Sequence, residues 1–359
     1  MSNDDTTMTE VLQLAEKLLA ADPWKLFSSL DVLGFQPGIN ERAYIFFGKE
    51  GRDLSMQVFV GSKAFKTLCR SFDIPPYASG FDYLEKELKK DCYCLSFLSE
   101  EELQEDELSL LTSHKWSDAR FPVFRRQHPM SFQQELSDDE NGLDILKKAM
   151  AVVLDATAYF PAHGKDKENS TFQTWFEETG AKDSQQLDYI PFAKGEKKGF
   201  LWQPLQVDWI AEAEELDIPG PFSPDSKAVT DARHAKQNPG QIAYFDIFCP
   251  GFPIEDYKSN WRYCYAAILT DLKKGNEEPF LHFFFPEAGK DGLFYAMATY
   301  MTEHGKPLAI KAFGGRSLAL AEELFAPLGL KVSKEKPENK RRLVNAEERA
   351  LDSFAPTPS

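Results

Sequence analysis

Cysteine is scarce and odd in number, with five residues in 359, at Cys69, Cys92, Cys94, Cys249 and Cys264. Such a set in apolar surroundings argues for reduced core thiols and against a disulfide framework. Long apolar runs are missing too. Nowhere do eighteen apolar residues follow one another, which excludes a membrane-spanning helix, and the opening stretch MSNDDTTMTE is too acidic and polar for a secretory signal. The cytoplasm is therefore the expected location. Basic excess is absent as well: 41 Lys and Arg face 57 Asp and Glu, for a formal net charge of −16. That field argues against nucleic acid or an anionic membrane surface as a partner.

Catalytic and metal signatures are also lacking. There is no G-x-S-x-G, no Walker-type sequence and no H-E-x-x-H, and the 6 histidines are scattered with no two on one helical face. Cys92 and Cys94 would share one face of a strand, but C-x-C without a second pair does not make a structural zinc site. His282 on an apolar strand reads as a hydrogen-bonded core residue, and His304 as a cation placed by a helix dipole. The expectation is no metal and no cofactor.

What is present is organised around residues 242–332. Apolar runs at 242–248, 261–272 and 279–285 read as a β-hairpin layer, and the last alternates apolar side chains on both faces, as in a covered strand. Leu293, Phe294, Met297, Ala298 and Met301 then recur at helical spacing, stopped by His304, Gly305 and Pro307. A strand at 308–313 follows, then a helix with Ser317 as its expected cap and Leu318, Ala321, Phe325 and Leu328 as its stripe. Gly329 ends it before a short strand at 330–332. This is a parallel crossover pattern.

Upstream, residues 7–21 form an amphipathic helix, and the runs at 43–47 and 54–60 flank the glycine-bracketed turn of Gly48 and Gly51, a hairpin signal. Short helices are expected at 64–72 and 81–88 around Pro75 and Pro76, with strands at 92–98 and 121–126. An acidic helix entry lies at 100–106, and a long helix at 137–160. Residues 161–186 read as a linker or insertion, and 189–192 with 200–207 as a hairpin with a lysine-rich tip. Residues 217–240 read as an irregular, proline-rich connection, and 339–354 as one charged helix before a disordered end at 355–359.

The fold class expected is an α+β N-terminal domain followed by an α/β C-terminal domain with a mixed sheet, ribonuclease H-like being the candidate topology. The domains are 1–160, a linker with a hairpin at 161–240, an α/β domain at 241–335, and a charged helix and tail at 336–359. Gly34, Phe35 and Pro37 precede a hairpin holding Gly48, Gly51 and Leu54; then come Cys94, Leu95, Ser96 and Phe97, and Phe121, Pro122, Phe124 and Arg125 ahead of Pro129. Through these residues the N-terminal half resembles an uncharacterised bacterial domain of unknown function, found near plasmid and transposon genes. Through Pro279, Pro307, Ile310, Leu318, Leu324, Leu328, Gly329 and Val332, the second half is similar to the uncharacterised domain that accompanies it. The resemblance implies no assigned activity.

Three candidate sites emerge. Gly314, Gly315, Arg316 and Ser317, after a strand and opening a helix, could offer backbone N–H groups and a guanidinium to a small anionic ligand at the carboxyl end of a parallel strand. Phe124, Arg125 and Arg126 form a basic, aromatic patch suited to a protein partner, against which stands an edge strand with gatekeeping charge. Asp246 and Asp271 on adjacent strands are the alternative catalytic pair, which would hold Mg²⁺ or Mn²⁺ in a nuclease or related phosphoryl-transfer enzyme. The favoured function is a non-catalytic interaction or ligand-binding module.

Overall fold

The structure, a computed structural model, describes residues 3–50, 53–72, 78–114, 116, 118–136, 139–181, 189–208, 222–256, 258–272 and 279–353. The chain folds into two compact units, one made of Met1–Phe72 with Lys89–Ile210, the other of Asp73–Leu88 with Ala211–Ser359. Both are helices on mixed sheets, as the α+β then α/β reading expects.

The first unit runs α1 (Asn3–Ala21), β1 (Val32–Gly38), β2 (Glu41–Glu50), β3 (Asp53–Val60) and α2 (Gly61–Phe72). The next helix in the chain, α3 (Gly80–Leu88), belongs to the second unit, and the first resumes with β4 (Cys92–Leu98), α4 (Glu105–Ser113), β5 (Phe121–Gln127) and β6 (Gln134–Glu135). It ends with α5 (Glu140–Tyr159), α6 (Gln173–Glu178), β7 (Tyr189–Gly195) and β8 (Phe200–Gln206). The strands form one sheet in the order β6-β5-β4-β3-β2-β1-β7-β8, in which β1 and β7 pair in parallel. Alternation along β2 sends Ala43, Ile45 and Phe47 to the large core with Val11, Ala15 and Leu18 of α1 and Leu146, Ala149 and Val153 of α5. Tyr44 faces the other way, into a smaller cluster with Ala64 and Leu68 of α2.

Residues 161–181 and 189–206 thus belong to the first unit and are no linker. The β7–β8 hairpin extends the first unit's sheet, because Ile190, Phe192, Ala193 and Trp202 are apolar on both faces and find cover only there. Asp139 caps α5 by accepting from the Gly142 N–H at 2.9 Å, whereas the predicted start at Ser137 lies outside the described residues, as do Gly51, Pro75, Pro76 and the 355–359 end.

The second unit adds α7 (Ser226–His234), β9 (Ile242–Phe248), a small hairpin of β10 (Pro253–Glu255) and β11 (Trp261–Tyr263), β12 (Tyr265–Thr270) and β13 (Phe280–Phe284). It closes with α8 (Gly289–His304), β14 (Ala309–Ala312), α9 (Gly314–Phe325), β15 (Lys331–Lys334) and α10 (Lys340–Asp352). Sheet order is β13-β12-β9-β14-β15, with β12 antiparallel to both β13 and β9, and β14 parallel to both β9 and β15. One face carries Tyr244, Phe248, Ala266 and Ile268, covered by Leu343, Ala346 and Ala350 of α10. Phe245 on the other face meets Phe325 of α9 edge-on at 5.5 Å. The charged C-terminal helix is therefore part of this domain's core and not an appendage to it, since its Leu343–Ala346–Ala350 stripe is apolar at helical spacing. The proline-rich stretch before β9 likewise contains α7, capped by Asp225 accepting from the Lys227 N–H at 2.5 Å.

α3 joins this unit by its own local signals. Ser79 and Asp82 form a capping box, with the Ser79 N–H and hydroxyl donating to Asp82 Oδ2 at 2.6 and 2.7 Å, and Phe81 packs on Phe248 at 4.9 Å. Gly251 is needed beside it: φ is +83°, and a Cβ there would lie 2.2 Å from Leu84 Cδ2.

Candidate functional site

Asp246 is the one charge in an otherwise apolar strand, and alternation with Tyr244 and Phe248 aims it at the face covered by α10. It is 2% exposed, and its oxygens are taken. Ser317 donates its hydroxyl to Oδ1 at 2.5 Å, the Ile247 N–H donates to the same oxygen at 2.9 Å, and the Lys340 ammonium donates to Oδ2 at 2.5 Å. Lys340 enters from the first turn of α10, and burial opposes its charge. The Asp246 carboxylate, with Glu347 and Asp82 behind it, more than offsets that burial, so its pKa is raised.

Two turns further along α10, Glu347 faces the same point. Its carboxyl is fully buried, and neither oxygen has a hydrogen-bond partner among the described residues. Burial first, then the Asp246 carboxylate, push its pKa well above the usual range against the pull of Lys340, which favours the protonated form. The cluster sets the Lys340 ammonium against the Asp246 carboxylate, with the Glu347 carboxyl buried beside them.

Arg316 stands beside it. Its guanidinium forks onto both oxygens of Glu85 from α3 and donates to the Ile247 carbonyl at 2.7 Å. Glu85 is 3% exposed, so this is a desolvated, bidentate pair. The expected cap of α9 is reassigned: Phe313 holds the N-cap position without a side-chain bond, because the Ser317 hydroxyl is drawn inward to Asp246. Gly314, at φ +70°, and Gly315 remain exposed, with open space where a side chain would stand.

The other predicted residues are dispersed. Ile268 lies opposite Asp246, and Asp271 follows three residues later, about 10 Å along the strand direction, so the structure does not bring the two aspartates together. Among the described residues no three His, Cys, Asp or Glu side chains form a group that could hold a metal ion. With both oxygens of Asp246 engaged by Ser317 and Lys340, the residues present do not fit the Mg²⁺ or Mn²⁺ of the alternative reading.

The basic patch is also closed. Phe124 is a core residue at 5% exposure. Arg125 makes a bidentate pair with Glu107 at 2.9 and 2.9 Å, and Arg126 pairs with Asp91 and lies over the Tyr93 ring at 4.2 Å. β5 is no edge strand either, since β4 and β6 flank it. His282 pairs across to Ala267 on β12, where burial lowers its pKa. Cys92 and Cys94 face each other at 3.6 Å as buried thiols.

Sequence reasoning missed Lys340, Glu347, Glu85 and Asp82. A signal existed for the first two: they fall on the same helical stripe as Leu343, Ala346 and Ala350, and a charge on the core side of a helix needs a partner. Glu85 and Asp82 had none, because their helix lies far away in the chain.

Comparison with known families matches the N-terminal half of the chain. Residues 9–176 match the family model described as Domain of unknown function (DUF7309), in line with the resemblance of the N-terminal half. No curated protein matches. Among solved structures, the chain is similar to one in "CryoEM structure of simian T-cell lymphotropic virus intasome in complex with PP2A regulatory subunit B56 gamma", at 12% identity and a TM-score of 0.22 over 33% of this chain. It spans 44% of that chain, and a likeness at this level bears no weight on fold or function.

Proposed function

We propose that the chain is a non-catalytic binding protein of the cytoplasm, in which Gly314, Gly315 and Arg316 receive a small anionic group. The observation that carries this reading is the occupation of Asp246 by Ser317 and Lys340. The carboxylate best placed for metal chemistry is already used inside the fold, while the exposed glycines beside it open α9 with no side-chain cap. An uncapped helix start presents N–H groups and the positive end of the dipole to solvent, a favourable place for a phosphate or carboxylate. Arg316 follows in the same turn, its guanidinium fixed by Glu85.

The test is a titration of the full chain with inorganic phosphate, followed by amide NMR. Shifts centred on Gly314 and Gly315 that weaken in Arg316→Lys support the reading, and no shift at these amides removes it. The competing reading is a ribonuclease H-like, metal-dependent phosphoryl-transfer enzyme. Its support is the strand order of the second unit, an antiparallel layer followed by parallel crossovers. Mg²⁺- or Mn²⁺-dependent cleavage of a nucleic acid that Asp246→Asn abolishes would establish it and overturn ours.

A further inference from the structure

We infer that the carboxyl cluster of the second unit is neutralised from within, by the Lys340 ammonium and by a proton shared between Glu347 and Asp246, and that this proton acts as the latch closing α10 on the sheet. The inference is independent of any ligand at Gly314–Ser317.

Three carboxyl groups from three elements bear electrostatically on one lysine: Asp246 from β9, which it contacts, Glu347 from α10 itself, and Asp82 from the first turn of α3. The other charges packed on this face are spoken for. Glu85 holds Arg316 at 3.0 Å, and Lys311 of β14 pairs with Glu335 at 2.5 Å. Asp82 is occupied by Ser79 at 2.6 and 2.7 Å, while Lys340 is given to Asp246. Glu347 alone is left with both oxygens buried and no donor among the described residues. An ionised carboxylate in that position would be a second negative charge beside Asp246 without a hydrogen bond, which is a costly state. A protonated carboxyl removes the charge and supplies the missing donor, and the Asp246 carboxylate, which acts on Glu347, offers it an acceptor.

The consequence is a mechanical one. Glu347 lies between Ala346 and Ala350 on the stripe that seats α10, so the proton and the apolar contacts hold the same helix to the same sheet. A carboxyl whose pKa is raised by folding binds its proton more tightly in the folded state. Its contribution is therefore complete below the ordinary carboxyl range and is lost as pH rises toward the raised value. One such proton changes the closed-to-open ratio of α10 by about tenfold per pH unit in that window.

The experiment is amide hydrogen exchange of residues 340–352 in the full chain, from pH 5 to pH 8, corrected for intrinsic exchange. Protection in the natural chain is expected to fall by about tenfold per pH unit. In Glu347→Gln, a neutral donor of similar shape, protection should be nearly independent of pH. Flat protection in the natural chain, or an equal slope in the Gln variant, overturns the inference. Should Glu347→Gln fail to fold, the natural chain's slope alone decides. A second arm adds Mn²⁺ to the natural chain at pH 7. No change in α10 protection is expected, and an increase that disappears in Asp246→Asn would show that a metal, not the lysine and proton, neutralises the cluster.

Discussion

In the first unit three deeply placed cations each meet one anion. Lys165, 0% exposed, bonds Asp31 at 3.0 Å and lies over the Phe172 ring, Arg125 takes Glu107, and Arg126 takes Asp91. In the second unit, by contrast, Asp246, Glu347 and Asp82 all bear on Lys340. The buried orphan that the first unit shows among the described residues is a neutral amide oxygen, that of Gln57, whereas in the second it is a whole carboxyl group. One-to-one pairing makes a fold insensitive to pH near neutrality. A surplus acid makes it respond, because a proton must make up the difference.

The sharpest way to break this contrast is Lys340→Ala. It leaves Asp246 buried beside a second acid, and we expect a loss of about 3–5 kcal/mol confined to the second unit, read by denaturant unfolding of the full chain. An equal loss in both units would mean that the charges do not belong to separate systems. Arg125→Ala is the matching change in the first unit. It strands Glu107, but the arginine side chain is 22% exposed, so water repays part of the cost, and about 1–3 kcal/mol is expected.

Both effects bear on how far the chain could be read from its residues. The crossover order of β9 to β15 was legible because each element has a clean period: the run at 242–248 with two, the Leu293–Met301 stripe with helical spacing. Asp246 was legible as a candidate because a charge interrupts an apolar strand. Its partners were not. Lys340 and Glu347 come from a helix whose charged composition hides its short apolar stripe, and Glu85 comes from a segment that sits among first-unit residues in sequence. Contacts between residues far apart in the chain leave no periodic trace. The same holds for Arg125 and Arg126, which read as an exposed basic patch until α4 and the residue before β4 supply their acids.

The cysteines sharpen the comparison from another side, since both units bury theirs. Burial pushes the Cys69 thiol up to about 11 and the Cys264 thiol up to about 12. The thiolate is the reactive form, so maleimide or Ellman-type labelling at pH 8 should be slow for the native chain and fast in denaturant. Rapid labelling of one cysteine in native conditions would mark a unit that opens locally. The smallest effect is expected at Trp261. Though large, it is 60% exposed on the β10–β11 hairpin, and Trp261→Ala should alter stability by less than about 0.5 kcal/mol in the same unfolding experiment.

The most direct measurement of the central claim is the side-chain carboxyl ¹³C shift of Glu347 in the full chain as a function of pH. A shift typical of a protonated carboxyl that persists through neutral pH is the predicted result. A titration in the ordinary carboxyl range, leaving Glu347 ionised at pH 7, would contradict the account.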